Sequence, residues 1–375
     1  EPWLAIARLH EARNEDSQAM NALFTAVKLQ PQHVPSRLML INFCQKAGLD
    51  KQVIIHSKAV LSKHPQMWSL YEKQLAAFRN LGYKTEAERI ADNLSQKLGA
   101  AIRKNPHDLR AHRAFVNLNL HRNDLPAALS AVQFARKNLP ESKPLRYDEI
   151  QILLRLKRTA EGLDLVKIGF SKANATDCLA LARIFLNQKM FSKAYAWSKK
   201  GYAFKKGLLQ NKFCELLGEI CFHRGIDTGE KKWFQEAVGC YRKLLTQNPD
   251  HWEALNNLCW ILSDRLDHLS EALALAEDFR RKHTIRELDI EFIDTLASIY
   301  RKSFAYERNK DFLEEAIRLH PHHAGIRFEL AMSYLELGKS IQGIRLLSSA
   351  MSLGLEGERQ QIAQRFLAVP VKTNE

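Results

Sequence analysis

The shortages in this chain narrow it first. Its 375 residues include only 16 glycines and 11 prolines, too few for a collagen-like or linker-dominated chain. Six cysteines (Cys44, Cys178, Cys214, Cys221, Cys240 and Cys259) form no CxxC pair. A chain of this length can stabilise its core without disulfides, so they read as buried free thiols in a reducing compartment. No apolar run reaches the roughly 18 residues of a membrane span. Acidic residues are also in short supply, 42 against 56 lysines and arginines, for a net charge of +14. That charge favours anionic protein surfaces, nucleic acid or a phospholipid face without choosing among them. The sequence opens at "EPWLAIARLH", without Met and already in a helical pattern. We therefore expect an N-terminal signal or anchor to be missing from this fragment.

Catalytic and ligand motifs are equally sparse. "LGKS" at 337–340 has the Gly-Lys-Ser of a phosphate loop, but Ser333 stands where the first glycine belongs and no strand precedes it, so it reads as a turn between helices. "HEARN" at 10–14 puts Asn14 where a zinc-protease helix needs its second His. "HPHH" at 320–323 reads as an exposed turn rather than a metal site. Cys214, Cys221 and His223, with Cys240, outline a thiolate cluster, yet the seven-residue step from Cys214 to Cys221 matches packed helix positions. There is no Ser/His/Asp arrangement, paired-carboxylate motif or Gly-rich nucleotide loop. We expect neither an enzyme nor a bound cofactor or metal.

What the chain does have is a period. Pro31 to Pro65 and Pro106 to Pro140 are each 34 residues; Pro65 to Pro106 is 41, and Pro249 to Pro321 is 72. Each proline ends a segment of one kind, as in "TAVKLQP", "KAVLSKHP", "FARKNLP", "RKLLTQNP" and "EEAIRLHP". Proline stops a helix because it lacks an N–H and clashes with the preceding turn. Between prolines lie two apolar runs at helical spacing: Trp3, Ile6, Ala7 and His10, then Ala19, Leu23 and Ala26 in the first unit. Small residues let two antiparallel helices approach closely. A fixed period in this range means a repeat architecture.

The pattern resembles the tetratricopeptide repeat. Matching residues include Leu75 and Phe78 with Ala87; Phe115 and Val116 with Ala128, Ala135 and Pro140; and Leu181, Ala182 and Phe185 with Ala194. Leu217 and Gly218 with Ala237, Tyr241 and Pro249 follow, then Leu296, Ala297 and Tyr300 with Ala316 and Pro321, and Leu330, Ala331 and Tyr334 with Ala350. Departures are Ile41 and Val53 in the second unit, Gly162 and Gly169 in the fifth, and insertions near 99–105 and 225–233. The resemblance implies an all-α, right-handed α-solenoid over residues 1–352. About ten units begin near 1, 34, 68, 109, 143, 175, 211, 252, 290 and 324, and 353–375 supply a capping helix and polar tail. The last three units, with "NNLCW" and "DTLAS", resemble bacterial repeat proteins of exopolysaccharide and envelope assembly. That implies a bacterial cytoplasmic or membrane-associated setting.

By the same resemblance, ligands contact the first helix of each pair along a concave groove. The candidates are Arg110, Arg113, Asn117, His121, Tyr147, Gln151, Arg155, Arg183 and Asn187, followed by Lys212, Glu215, Glu219, Phe222, Glu253, Asn256, Trp260 and Asp264. The groove is therefore expected to be basic in the middle and acidic toward its C-terminal third. Arginine grips carboxylates bidentately and carboxamides pair with peptide backbone, which implies a protein partner with an acidic or extended segment. The clamp that some repeat proteins close on a chaperone's terminal carboxylate is not present: Arg113 and Asn117 begin it, but Asp148, Thr176 and Ala180 break it. The six lysines of "SKAYAWSKKGYAFKKGLLQNK" (192–212) leave an RNA- or anionic-surface-binding module as the alternative.

Overall fold

The computed structural model describes residues 2–12, 15–204 and 207–368, and among these every regular element is a helix. The chain forms two compact units, Glu1–Ser171 and Lys172–Glu375. The first contains α1 (Pro2–Ala12), α2 (Asp16–Leu29), α3 (Val34–Lys46), α4 (Asp50–Leu61) and α5 (Trp68–Asn80). It continues with α6 (Lys84–Lys104), α7 (Leu109–His121), α8 (Leu125–Asn138), α9 (Lys143–Arg155) and α10 (Thr159–Gly169). The second contains α11 (Ala175–Asn187), α12 (Phe191–Tyr202), α13 (Gly207–Thr228), α14 (Lys231–Gln247), α15 (Trp252–Asp264) and α16 (Leu269–Lys282). It ends with α17 (Ile290–Lys302), α18 (Tyr306–Leu319), α19 (Ala324–Glu336), α20 (Ser340–Ser352) and α21 (Gly357–Ala368). Odd-numbered helices pack on the even-numbered helices that follow them. These are antiparallel helix pairs repeated along the chain.

One turn joins the two helices of most pairs. Gly48, Gly82, Asn123, Lys157, Lys189, Phe304 and Gly338 each adopt a left-handed conformation, with φ between +55° and +78°. The next residue's N–H donates back five residues, as in Leu49 to the Cys44 carbonyl (2.8 Å) and Lys339 to the Tyr334 carbonyl (2.8 Å). This six-to-one bond satisfies a carbonyl left over at the helix end and turns the chain back on itself.

A second joint recurs between pairs. Arg37 Nε donates to the Pro31 carbonyl (2.7 Å) and Arg146 Nη2 to that of Pro140 (3.1 Å). Arg327 Nε donates to the Pro321 carbonyl (3.1 Å), and His112 Nε2 lies 2.9 Å from that of Pro106. The side chain six residues after the helix-ending proline thus ties the next helix to it.

Where paired helices cross, the small residues are buried. Ala87, Ala128, Ala194, Ala237, Ala272 and Ala316 are at most 1% exposed. Phe185, Phe292, Tyr300 and Phe328 fill the space they leave, each contributing about 1.5–3 kcal/mol by burial. Asn309, fully buried at such a crossing in α18, donates from its amide to the Ala297 carbonyl and Ser333 Oγ, both at 3.0 Å. The first helix departs from the expected stripe. Leu4 and Ala7 are buried while Trp3 and Ile6 are exposed, because the face of α1 presented to α2 passes through Leu4.

The two insertions are helical. α6 has 21 residues, α13 has 22 and α14 has 17, whereas the other helices have 11 to 14. Seven added residues make about two turns at 3.6 residues each, so they lengthen a helix without opening a loop. At the C-terminal end, Arg359 of α21 reaches Asp294 of α17 (2.9 Å) and Glu329 of α19 (3.0 Å). Glu329 is fully buried and also accepts from Arg301 (2.9 Å). Burial pushes its carboxyl up, and the two guanidiniums pull it down. The tail at 369–375 lies outside the described residues.

Two glycines test the packing from opposite sides. A Cβ at Gly201 of α12 would lie 2.1 Å from Phe213 Cζ and 2.9 Å from Cys178 Cβ, whereas one at Gly239 of α14 meets nothing within 4 Å. Gly201→Ala should lower stability by about 1–3 kcal/mol, and Gly239→Ala should raise it by about 0.5–1 kcal/mol through the unfolded chain's entropy. Denaturant midpoints of the two variants measured side by side would check both signs.

Candidate functional site

In the first unit the candidates lie on α7 and α9. Asp108 caps α7 by accepting from the N–H groups of Arg110 (2.9 Å) and Ala111 (3.1 Å), which leaves Arg110 exposed on the first turn. One turn on, Arg113 donates to Asp148 of α9 through Nε (2.7 Å) and Nη2 (3.1 Å). This fork holds the guanidinium above its ordinary pKa, chiefly through the bond to Asp148. Asn117 donates to Glu72 of α5 at 3.1 Å. Arg113 and Asn117 are therefore engaged in tying successive first helices together. A ligand carboxylate reaches Arg113 only by displacing Asp148. His121 is half-buried at the end of α7, where its carbonyl accepts from Arg79. Tyr147 stacks on Phe170 with ring centroids 5.1 Å apart and planes 17° from parallel. Gln151 and Arg155 follow on α9, both half-buried.

In the second unit α11 and α13 enclose a cleft of about 260 Å³. Arg183 and Asn187 come from α11, Glu215 and Glu219 from α13, and Leu186 and Leu216 supply apolar lining. Arg183, Asn187, Glu215 and Glu219 are all exposed to solvent at its mouth. Loss of hydration beside the protein raises the Glu219 pKa, and the Glu215 carboxylate adds to this, while His223 and Arg183 oppose it. The expected basic middle and acidic third thus meet in one cleft of mixed charge. α11 is set by a capping box, in which Asn174 accepts from the Asp177 N–H (2.9 Å) and Asp177 accepts from the Asn174 N–H (3.0 Å).

The later candidates are placed differently. Lys212 and Glu253 are exposed, and Glu253 lies 3.2 Å from His251 Nδ1. Asn256, read from sequence as a groove residue, is 9% exposed; the buried face of α15 is wide enough to include it. Phe222 and Trp260 are half-buried and pack on each other at 5.2 Å, with Arg265 over the indole at 4.9 Å. Asp264 accepts from Lys302 at 2.5 Å. On α12, Lys199 pairs with Glu236 at 2.7 Å and Lys200 sits 4.7 Å from the Trp197 ring. Lys205 and Lys206 of the lysine-rich stretch lie outside the described residues.

The sparse ligand motifs resolve into structure. All six cysteines are free, and five are buried; Cys240 is half-buried. Burial pushes the Cys240 and Cys259 thiols up to about 12. Among the described residues no group of three or more His, Cys, Asp or Glu side chains is placed to hold a metal ion. His323 Nδ1 caps α19 by accepting from the Ile326 N–H (3.2 Å), and Gly338 of "LGKS" is a left-handed turn residue. Asn14 of "HEARN" lies outside the described residues. No helix among the described residues is long and apolar enough to cross a membrane. Sequence reasoning missed the Arg113–Asp148 fork, although a signal existed: the two residues are 35 apart, close to the repeat period.

No family model and no curated protein matches the chain. Solved structures do. A structure of Naa15/Naa10 bound to HypK-THB matches at 14% identity and TM-score 0.35, covering 97% of this chain and 65% of that one. The chain therefore spans slightly less than two thirds of that protein's length. A tetratricopeptide repeat protein from Parabacteroides merdae matches at 12% identity and TM-score 0.39, covering 80% of this chain and 98% of that one. The human IFIT1 dimer with m7Gppp-AAAA matches at 11% identity and TM-score 0.37, covering 93% and 89%.

The raised Glu219 pKa carries a sign that can be measured. Its charged form is disfavoured in the folded chain, so the group's stabilising contribution is full below the unfolded glutamate pKa and is lost as pH rises through the folded value. Glu219→Gln should therefore raise Tm slightly at pH 7, and the gain should vanish near pH 4. Melting curves at the two pH values would show it.

Proposed function

We propose that the chain is a non-enzymatic helical-repeat scaffold that binds an extended protein segment on its first-helix faces. The observation that carries this is the α11–α13 cleft, where a guanidinium, a carboxamide and two carboxylates line an opening with apolar walls. Asn187 suits a peptide backbone and Arg183 an acidic side chain, while Glu215 and Glu219 suit backbone N–H groups or a basic side chain. Two carboxylates beside the one arginine make the cleft a poor seat for a phosphate chain. In the first unit, Arg110, Gln151 and Arg155 would contact such a segment, with Tyr147 and His121 beside them. Arg113 and Asn117 would join by exchanging Asp148 and Glu72 for the ligand. The likeness of the last three units to envelope and exopolysaccharide-assembly proteins supports a role in a bacterial envelope or polysaccharide-export machine.

The competing reading, an RNA- or anionic-surface-binding module, is favoured by the net charge of +14. Salt separates the two, because phosphate contacts weaken steeply as counterions compete and a groove with hydrogen bonds and apolar walls weakens gently. The test is capture from a bacterial lysate with the wild-type chain and with Arg183→Glu, washed at low and moderate salt. A discrete protein held by the wild type at moderate salt and lost by the variant is the expected result. Nucleic acid or lipid that washes off with salt and ignores the variant would overturn the proposal.

A further inference from the structure

Among the seven hairpin turns that combine the left-handed residue with the six-to-one bond, one is chemically out of place. Six use Gly, Asn or Lys; the turn between α17 and α18 uses Phe304, at φ +57° and 78% exposed. Both features are unfavourable. A left-handed conformation strains a bulky side chain, and an exposed phenyl ring gains little from the fold. Folding alone gives no reason for phenylalanine here.

The ring has a setting. Phe304 lies on the rim of a cleft of about 570 Å³ formed by α16, the turn and the start of α18. Leu269 and Leu273 of α16 give it an apolar side. Tyr306 meets the ring edge-on at 6.1 Å. Of the cations lining the cleft, Arg308 is paired with Glu277 (2.6 Å) and Lys302 with Asp264 (2.5 Å). Arg281 is exposed and makes no ion pair among the described residues, because Asp278, the carboxylate whose charge it feels, is held by Lys282 (2.7 Å). The local excess is therefore positive and is presented next to apolar surface.

We infer that this cleft is a second docking surface, separate from the first-helix face, for an acidic segment of a protein partner. The segment would place one bulky apolar side chain against Phe304, Leu269 and Leu273, and a neighbouring carboxylate on Arg281. A rigid aromatic next to an arginine is the combination that dominates interface energetics. Charge selects the occupant. A second copy of this chain would bring another +14 to a positive cleft, whereas an acidic segment complements it.

The test uses the whole chain and a random-sequence peptide library displayed on phage. Enriched peptides should pair an aromatic or large aliphatic residue with Asp or Glu within a few positions. Binding of a selected peptide should weaken at least 10-fold on Phe304→Asn and on Arg281→Glu, and be unchanged by Arg183→Glu. Because Asn123 occupies the equivalent turn after α7, Phe304→Asn should leave Tm unchanged or higher, so loss of binding cannot be laid to unfolding. Failure to enrich any peptide, selected peptides that bind Phe304→Asn as tightly as wild type, or a fall in Tm would each overturn the inference. So would sedimentation showing that the cleft joins two copies of this chain and that Phe304→Asn separates them.

Discussion

Everything in these two units follows from how a helix is made to stop and reverse within three residues. The left-handed residue and the six-to-one bond behind it, seen from Gly48 to Gly338, bring the second helix of most pairs back along the first. Only small side chains then fit at the crossing, which is why Ala87, Ala128, Ala194 and Ala316 are almost wholly buried. The proline joint sets the next step. Its carbonyl is held by Arg37, His112, Arg146 or Arg327 from the following helix, so successive pairs are linked by the chain end that proline exposes. The apolar groups do the stabilising and these backbone bonds set the geometry.

Polar links between neighbouring first helices add a second layer. Arg113 with Asp148 and Asn117 with Glu72 span the first unit's helices. Asp264 with Lys302, and Glu329 with Arg301 and Arg359, span the second's. The exposed pairs contribute little each. Glu329 differs because its carboxylate is wholly buried, so two guanidiniums, of Arg301 and Arg359, stand in for the water it has lost. α21 is thereby bound to the array by electrostatics as well as by Ala363 and its apolar neighbours.

The fold was legible because its determinants are local and periodic. Proline stops helices, alanine marks crossings, and residues such as Leu181, Ala182 and Phe185 are fully buried as their spacing implied. What escaped was non-local. The conformation of the insertion near 99–105 is open in the sequence alone, and α6 runs on through it to Lys104. An arginine on an expected groove face gives no sign, taken alone, of the aspartate that will pair with it one repeat later. Asn256 falls on the groove face by the repeat pattern, yet the packing of α15 buries it. The meeting of Arg183 with Glu219 required two adjacent helices to be seen at once. The oddity of Phe304 is visible only beside the other turns of the same conformation.

The functional account rests on first-helix faces that present polar groups of both signs over apolar walls. Its most direct test is to place a photoreactive amino acid at position 187 on α11, or at exposed position 196 on α12, and irradiate cells producing each variant. The account predicts a discrete protein adduct from position 187 and none from position 196. Adducts to nucleic acid, or a protein adduct from position 196 alone, would contradict it.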